Sequence, residues 1–184
     1  PELFIQTVKA IAPTFGGINL EDIKAPEAFE IERRLKEELD IPIMHDDQHG
    51  TAIISAAALL NALELAKKQI DKIKIVVSGA GAAAVSCIKL YHRLGVKPEN
   101  IFMYDSKGLI HAGRTDLDDM KQTFATHPKD IDFEAAFKGA DVFLGLSKAG
   151  LVSKDMIASM AKDPIVFALA NPEPEIAYKE AMSV

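Results

Sequence analysis

Two acidic pairs near the start of the chain have side chains that could bind a divalent metal ion. Glu21-Asp22 lies in the stretch FGGINLEDI and Asp46-Asp47 in MHDDQHGTA. Carboxylates that converge on one spot repel each other unless a cation joins them, and oxygen ligands select hard ions such as Mg²⁺ or Mn²⁺. The residue types therefore indicate a metal site, provided that the fold gathers the two pairs.

The segment between the pairs predicts how they could meet. Residues 26–39 have the apolar spacing of a helix, which would run about 21 Å. Residues 41–44, IPIM, read as a short strand that returns about 20 Å with its flank. If helix and strand are antiparallel, the two pairs meet. The alternative stays open: Asp46 or Asp47 could lie at the positive end of a following helix, with Glu21-Asp22 solvated.

A glycine-rich turn after a predicted strand indicates a nucleotide site. Residues 72–79, KIKIVVSG, are apolar and β-branched, and Gly79, Gly81 and Ala84 follow in G-x-G-x-x-A spacing. Small residues in this pattern allow a tight turn, close approach of a pyrophosphate and packing of the helix on the strand. The alternative is a glycine-rich turn without a cofactor. The residues expected to form the loop are Gly79, Ala80, Gly81, Ala82, Ala83 and Ala84.

The next predicted strand, residues 100–105, ends on Asp105, near the place where an acid accepts the adenosine ribose hydroxyls. Asp105 alone favours NAD. Ser106 and Lys107, however, stand where the 2′-phosphate of NADP could bind. The choice between NADP and NAD therefore stays open.

Strands and helices alternate from residue 72 onward. Further strands are predicted at 141–147 and 165–172, and helices at 82–94, near 117–126, near 132–138 and at 154–161. Val-, Ile- and Phe-rich strands between helices indicate a parallel sheet covered on both faces. The predicted fold is α/β, a doubly wound parallel sheet forming a Rossmann-like NAD(P)-binding domain. In open sheets, ligands bind beyond the carboxyl ends of the strands, which adds Gly145, Ser147 and Asn171 as cofactor-binding candidates.

The predicted organisation has two blocks. Residues 1–70 form a helical and short-strand segment that carries the metal ligands, and residues 71–184 form the nucleotide-binding domain, truncated at its C-terminus. Residues 50–66 are apolar almost all round, which predicts a helix buried in the interior.

Composition and charge argue against several classes of protein. The chain has 27 acidic and 21 basic side chains, a net charge of −6, so it lacks the electrostatic footprint of a nucleic-acid-binding domain. Its longest apolar run, residues 53–60, is far short of the ~20 residues that a membrane span needs. Cys87 is the one cysteine, which fits a reducing cytoplasm. We expect a cytoplasmic protein without nucleic-acid or membrane partners.

The stretch from PTFGGINLEDI to MHDDQHGTA, followed by VVSGAGAAA, YDSKGLI and ALANPEPE, closely resembles the bacterial malic enzymes. The resemblance implies oxidative decarboxylation of malate to pyruvate and CO₂ with NADP or NAD and Mg²⁺ or Mn²⁺. It assigns Glu21, Asp22 and Asp47 as metal ligands and Asp46 as a catalytic residue that assists proton transfer. It also places the nucleotide at the Gly79 loop and assigns Asn171 to contact with substrate and nicotinamide.

The chain also departs from the family pattern. Malic enzymes supply a catalytic lysine and a tyrosine from an N-terminal region that has no match here, and a further asparagine motif beyond residue 184 is missing. We therefore expect a fragment of a homo-oligomeric enzyme, a dimer or higher, that is inactive or nearly so by itself. Two alternatives are the cofactor domain of a metal-independent dehydrogenase and a non-catalytic nucleotide-binding module.

Overall fold

A computed structural model describes residues 1–24 and 26–184, and its first part is a small β-α-β unit preceded by a helix. The elements are α1 (Glu2–Ile11), β1 (Ile18–Leu20), α2 (Glu27–Glu38) and β2 (Ile43–His45). The two strands pair in parallel, with Leu20 opposite His45. Ile5, Ile31 and Leu35 are among the residues that form a separate small core. The sequence predicted α2 and, within two residues, β2, but missed β1.

The next helix, α3 (Asp46–Ala66), begins directly after β2, four residues earlier than predicted. One face buries Ala52, Ser55, Ala56, Leu59 and Leu63. The opposite face is exposed, with 68% of Ile54 and 85% of Leu65 accessible to solvent. The expectation of a helix buried on all sides is therefore wrong. Among the described residues, α3 is the one helix that length and composition alone would allow to cross a membrane.

A second, larger sheet follows, as predicted. Its strands are β3 (Ile75–Ser78), β4 (Ile101–Asp105), β5 (Gly108–Leu109), β6 (Val142–Gly145) and β7 (Ile165–Ala168), in the order β5-β4-β3-β6-β7. Four strands are parallel, and β5 is a short antiparallel edge that the sequence did not indicate. The remaining helices are α4 (Ala82–Leu94), α5 (Asp119–Gln122), α6 (Phe133–Phe137), α7 (Lys154–Ala158) and α8 (Tyr178–Ala181).

Side chains of β3 alternate between two cores, because successive residues of a strand point to opposite faces. Ile75 and Val77 pack with buried residues of α3 and α4, whereas Val76 packs with Phe137 and Phe143 on the other face. This two-sided burial confirms the predicted Rossmann-like α/β fold. Helices α5 and α6 are shorter than the predicted segments. The proposed division into two blocks at residue 70 stays a prediction.

Candidate functional site

Residues Glu21, Asp22, Asp46 and Asp47, which we call the acidic corner, lie at the carboxyl ends of β1 and β2. Because these strands are parallel and adjacent, the two acidic pairs emerge side by side. The backbone N–H of Asp22 donates to Asp47 Oδ2 over 2.9 Å, with Asp22 at a φ of 56°. Helix α2 carries the chain back to the amino end of the strands, β2 returns it to the carboxyl end, and the pairing of β1 with β2 aligns the two acidic pairs.

The acidic corner is not a preformed ligand cage. Within residues 1–24 and 26–184, no three His, Cys, Asp or Glu side chains are arranged to hold a metal ion. In the same ranges, no lysine or arginine forms an ion pair with the four acids. Asp46 and Asp47 also occupy the first turn of α3, as the alternative interpretation required. The donor set is oxygen only, which fits Mg²⁺ or Mn²⁺ chemically.

Glu32 of α2 contacts the junction between β2 and α3, next to the acidic corner, and the sequence did not indicate this role. Its Oε1 accepts the backbone N–H of His45 over 3.2 Å and Lys36 Nζ over 2.8 Å, and it lies 2.8 Å from His49 Nε2. Burial raises the pKa of Glu32, but the hydrogen bonds from Lys36 and His49 outweigh it and lower the pKa. Glu32 thus carries a negative charge that fixes the junction between β2 and α3.

Gly50 lies one helical turn after Asp46 in α3, and its lack of a side chain leaves room for the Asp46 carboxylate. A Cβ atom at Gly50 would overlap the Asp46 carboxylate. Any larger residue at position 50 would therefore displace the predicted catalytic acid.

The predicted nucleotide loop has the backbone that its glycines indicated. Gly79 has a φ of 114°, and a Cβ atom there would lie 2.6 Å from the Leu146 carbonyl oxygen, so only glycine fits. Gly81 precedes α4, and a Cβ atom there would meet nothing within 4 Å. Ala84 is fully buried against the sheet core. The loop therefore leaves open space in front of the α4 N-terminus, where the unpaired amides favour an anion.

A cavity of about 640 Å³ lies at this edge of the large sheet. The predicted cofactor-binding residues in its wall are Gly79, Ala80, Gly81, Asp105, Ser106 and Ser147. Those outside the wall are Ala82, Ala83, Ala84, Lys107, Gly145 and Asn171. Lining residues that the sequence did not single out include Phe133, Lys148 and Leu151. A second cavity, of about 660 Å³, lies after β7. Because none of the predicted site residues lines it, we assign the candidate cofactor site to the cavity beside the Gly79 loop.

Asp105 is already held by cations. Arg114 binds it through two nitrogens, at 2.8 and 3.1 Å, and Lys121 Nζ lies 3.0 Å from Oδ2. Burial would raise the pKa of Asp105, but hydrogen bonds from Arg114, from the backbone N–H of Lys107 and from Lys121 outweigh it and bring the pKa to about 2. Lys107 Nζ donates to Asp116 Oδ2 over 2.7 Å. The predicted ribose acceptor therefore carries a charge that neighbouring cations balance.

The loops after β6 and β7 are joined by the carboxylate of Glu175, which sequence reasoning missed. Its oxygens accept the backbone N–H groups of Ser147, at 2.9 Å, and Ala170, at 3.1 Å. A Cβ atom at Gly145 would overlap this carboxylate, so the missing side chain at Gly145 makes room for Glu175. Its role in cofactor binding stays a prediction. Asn171 follows Ala170, is exposed and precedes a cis peptide bond to Pro172.

The N-termini of helices α3 and α4, which bear the acidic corner and the nucleotide loop, lie on the same side of the large sheet, at the carboxyl ends of its strands. At the far end of α3, Lys68 Nζ pairs with Asp141, at the start of β6, over 2.6 Å. Nearer the middle of α3, Ser55 Oγ lies 3.4 Å from Cys87 Sγ of α4. The helices therefore run side by side with their N-termini toward the carboxyl ends of the strands.

Comparisons with known proteins agree with these features. The family model "Malic enzyme, NAD binding domain" matches residues 48–183, and "Malic enzyme, N-terminal domain" matches residues 1–36. An NADP-dependent malic enzyme of Halomonas elongata is 54% identical over 176 residues, which cover 96% of this chain and 42% of the relative. An NAD-dependent malic enzyme of Rhizobium meliloti is 55% identical over 173 residues, which cover 94% of this chain and 22% of the relative.

A solved structure shows the same fold. The malic enzyme of Entamoeba histolytica superposes with a TM-score of 0.93 at 42% identity, covering 100% of this chain and 40% of that one. The chain thus spans less than half the length of these relatives. The match to the family's NAD-binding domain, which extends over most of the sequence, is decisive: the chain belongs to the malic enzyme family.

Proposed function

We propose that this chain provides the nucleotide- and metal-binding core for the oxidative decarboxylation of malate. In that reaction malate and NAD(P)⁺ give pyruvate, CO₂ and NAD(P)H. The observation that carries the proposal is the convergence of the acidic corner and the nucleotide loop on one edge of the large sheet, through the parallel packing of α3 and α4. A substrate between them would contact both a set of carboxylates and the bound cofactor.

The side chains have separate roles in this proposal. The loop at Gly79 and the N-terminus of α4 bind the pyrophosphate, and the residues around the end of β4 receive the adenosine end of the cofactor. Asp46, on the first turn of α3, assists transfer of the malate hydroxyl proton. The loop at Gly79 would hold NAD(P)⁺, which would supply the hydride acceptor for C2 of malate. Glu21, Asp22 and Asp47 would hold Mg²⁺ or Mn²⁺, which would supply Lewis-acid chemistry for the loss of CO₂.

The metal assignment is tested by titrating Mn²⁺ into the chain and following free Mn²⁺ by electron paramagnetic resonance. Asp22→Asn and Asp47→Asn should each weaken binding at least about tenfold, because each removes one anionic ligand. Asp40→Asn is a matched control, since Asp40 is exposed and lies before β2 rather than after it. Equal Mn²⁺ affinity in Asp22→Asn, Asp40→Asn and wild type would remove the assignment.

We also propose a preference for NADP, in which Lys107 binds the 2′-phosphate. Two cations already engage Asp105, so it offers few free lone pairs to the ribose hydroxyls that NAD would present. The Lys107 side chain is exposed beside it, and among the described residues its ammonium group pairs only with Asp116. A 2′-phosphate could replace Asp116 as the partner of this ammonium group. Lys107→Ala should weaken NADP⁺ about tenfold and leave NAD⁺ nearly unchanged in calorimetry.

Lys97→Ala provides the control for this experiment. Lys97 is exposed and precedes the amino end of β4, whereas Lys107 follows its carboxyl end. Equal losses of NADP⁺ and NAD⁺ affinity in Lys107→Ala would reject the preference for NADP.

The remaining proposals concern the chain by itself. Since the family's catalytic lysine and tyrosine have no counterpart here, we propose that the purified 184-residue chain binds nucleotide without sustained malate turnover. Malate-dependent formation of NADPH at the rate of a complete malic enzyme would contradict this.

We also propose a cytoplasmic homo-oligomer, in line with the single buried cysteine and the exposed apolar face of α3. Sedimentation equilibrium of the chain measures the oligomeric state.

A further inference from the structure

We propose that Glu175 is a positioning residue that holds the loops after β6 and β7 in place for the nicotinamide half of the cofactor. The inference rests on the proposed function, in which these loops bind the dinucleotide. Glu175 belongs to NPEPEI, a stretch that reads from the sequence as an ordinary loop.

The surroundings of Glu175 are unusual for a carboxylate. The residue is 0% exposed, and its Oε1 and Oε2 accept one backbone N–H each, from Ser147 and from Ala170. In the described part of the chain it has no cationic partner. Burying a carboxylate is costly unless its oxygens form strong hydrogen bonds. The two bonds to these loops therefore compensate for the burial of Glu175.

Backbone hydrogen bonds fasten Glu175 itself. Its carbonyl accepts the N–H of Val152 over 3.0 Å, and the carbonyl of Pro174 accepts the N–H of Gly150 over 3.1 Å. Gly145 leaves the space that the carboxylate fills. The carboxylate therefore has a fixed position and can in turn fix the two N–H groups.

Both N–H groups lie next to the proposed cofactor site. Ser147 lines the cavity at the nucleotide loop, and its Oγ lies 2.5 Å from Ser78 Oγ at the end of β3. Ala170 directly precedes Asn171, the residue that the resemblance assigns to the nicotinamide. One side chain thus ties the ends of β6 and β7 to each other and, through Ser147, to the end of β3.

The adenosine half of the site does not depend on this connection. Asp105 lies at the end of β4, on the other side of β3, and is held by Arg114 and Lys121. Loss of the Glu175 contacts should therefore affect binding of a dinucleotide but not of AMP, which carries the adenosine half alone. A purely structural role would weaken both ligands together.

The test is calorimetric binding of NADP⁺, NAD⁺ and AMP to the full chain and to Glu175→Gln. Glutamine keeps one acceptor oxygen and replaces the other with an NH₂ group, which cannot accept an N–H. We expect about tenfold weaker binding of both dinucleotides and less than about a twofold change for AMP. Glu173→Gln is the matched control, because Glu173 is exposed in the same loop. It should bind all three ligands as wild type does.

The outcomes separate this role from the proposed function. Unchanged NADP⁺ affinity in Glu175→Gln, or equal losses for NADP⁺ and AMP, would overturn the role of Glu175 alone. Failure of the wild-type chain to bind any of the three nucleotides would overturn the proposed function and this inference with it. If Glu175→Gln does not fold, Gly145→Ala displaces the carboxylate instead and should give the same selective loss. Failure of both variants to fold would make Glu175 a residue of the fold and overturn the proposal.

Discussion

The nucleotide edge, by which we mean the loops after β3, β4, β6 and β7, differs from the acidic corner in how its polar groups are satisfied. At the nucleotide edge, Asp105 is paired with Arg114 and Lys121, and Glu175 accepts two backbone N–H groups. At the acidic corner, a single hydrogen bond joins the two pairs, from Asp22 to Asp47. The first region is organised by contacts within the protein, whereas the four acids of the second have no lysine or arginine partner among the described residues.

The difference follows from the sheets that carry the two regions. The nucleotide edge ends a sheet with a core on both faces, and the acidic corner ends a pair of three-residue strands. A large buried sheet can fix its loops tightly. A two-stranded sheet has little apolar burial to do so. Three experiments can break or sharpen this comparison.

The largest effect is expected from Gly79→Ala at the nucleotide edge. The new Cβ would be strained at a φ of 114° and would lie 2.6 Å from the Leu146 carbonyl oxygen. We expect the free energy of unfolding to fall by about 3 kcal/mol in urea denaturation. Gly139→Ala, at a φ of 68° with nothing within 4 Å of its Cβ, should cost only about 1 kcal/mol. Equal costs would mean that the nucleotide edge is not tightly packed.

A smaller effect should come from titration of Asp105. Its folded pKa of about 2 lies below the ~3.9 of an unfolded chain, so Asp105 stabilises the fold above pH 4. This contribution, about 2 kcal/mol, is lost as the pH falls through about 2. The stability difference between wild type and Asp105→Asn, measured by urea unfolding, should therefore shrink from pH 5 to pH 2. A constant difference would show that Arg114 and Lys121 do not stabilise the carboxylate.

The smallest effect concerns amide hydrogen exchange with and without Mg²⁺. Without ligand, the Ser147 and Ala170 amides should already be protected by Glu175. The Asp22 amide should gain about tenfold in protection at saturating Mg²⁺, because ordering of its carboxylate also orders the bond to Asp47. Exchange rates from nuclear magnetic resonance report each amide. Strong protection of Asp22 before Mg²⁺ is added would contradict the comparison.

Much of the fold could be predicted from local patterns. β-branched runs such as KIKIVVSG and the G-x-G-x-x-A spacing define β3, its turn and α4, since these depend on neighbours in sequence. β1 was missed because three residues, Ile18 to Leu20, carry too little alternation to be recognised without their partner strand. The exposed face of α3 was missed because an apolar sequence does not say which side is covered.

The site was predictable only where its residues follow one another. The acidic pairs and the loop at Gly79 stand in short motifs, and the structure places them at one edge. Glu175 meets Ser147 across 28 residues, and Glu32 meets His45 across 13. No spacing rule links such positions, because tertiary packing alone brings them together. The sequence also did not indicate that the missing side chain of Gly145 makes room for Glu175.

Helix α3 ties one half of the acidic corner to the large sheet. The helix contacts that domain through Ser55 against Cys87 and, at its far end, through Lys68 on Asp141. Glu21 and Asp22 are joined to it through the pairing of β1 with β2 and the hydrogen bond from Asp22 to Asp47. A spectroscopic label beside Glu21 would therefore report the separation of the two acidic pairs.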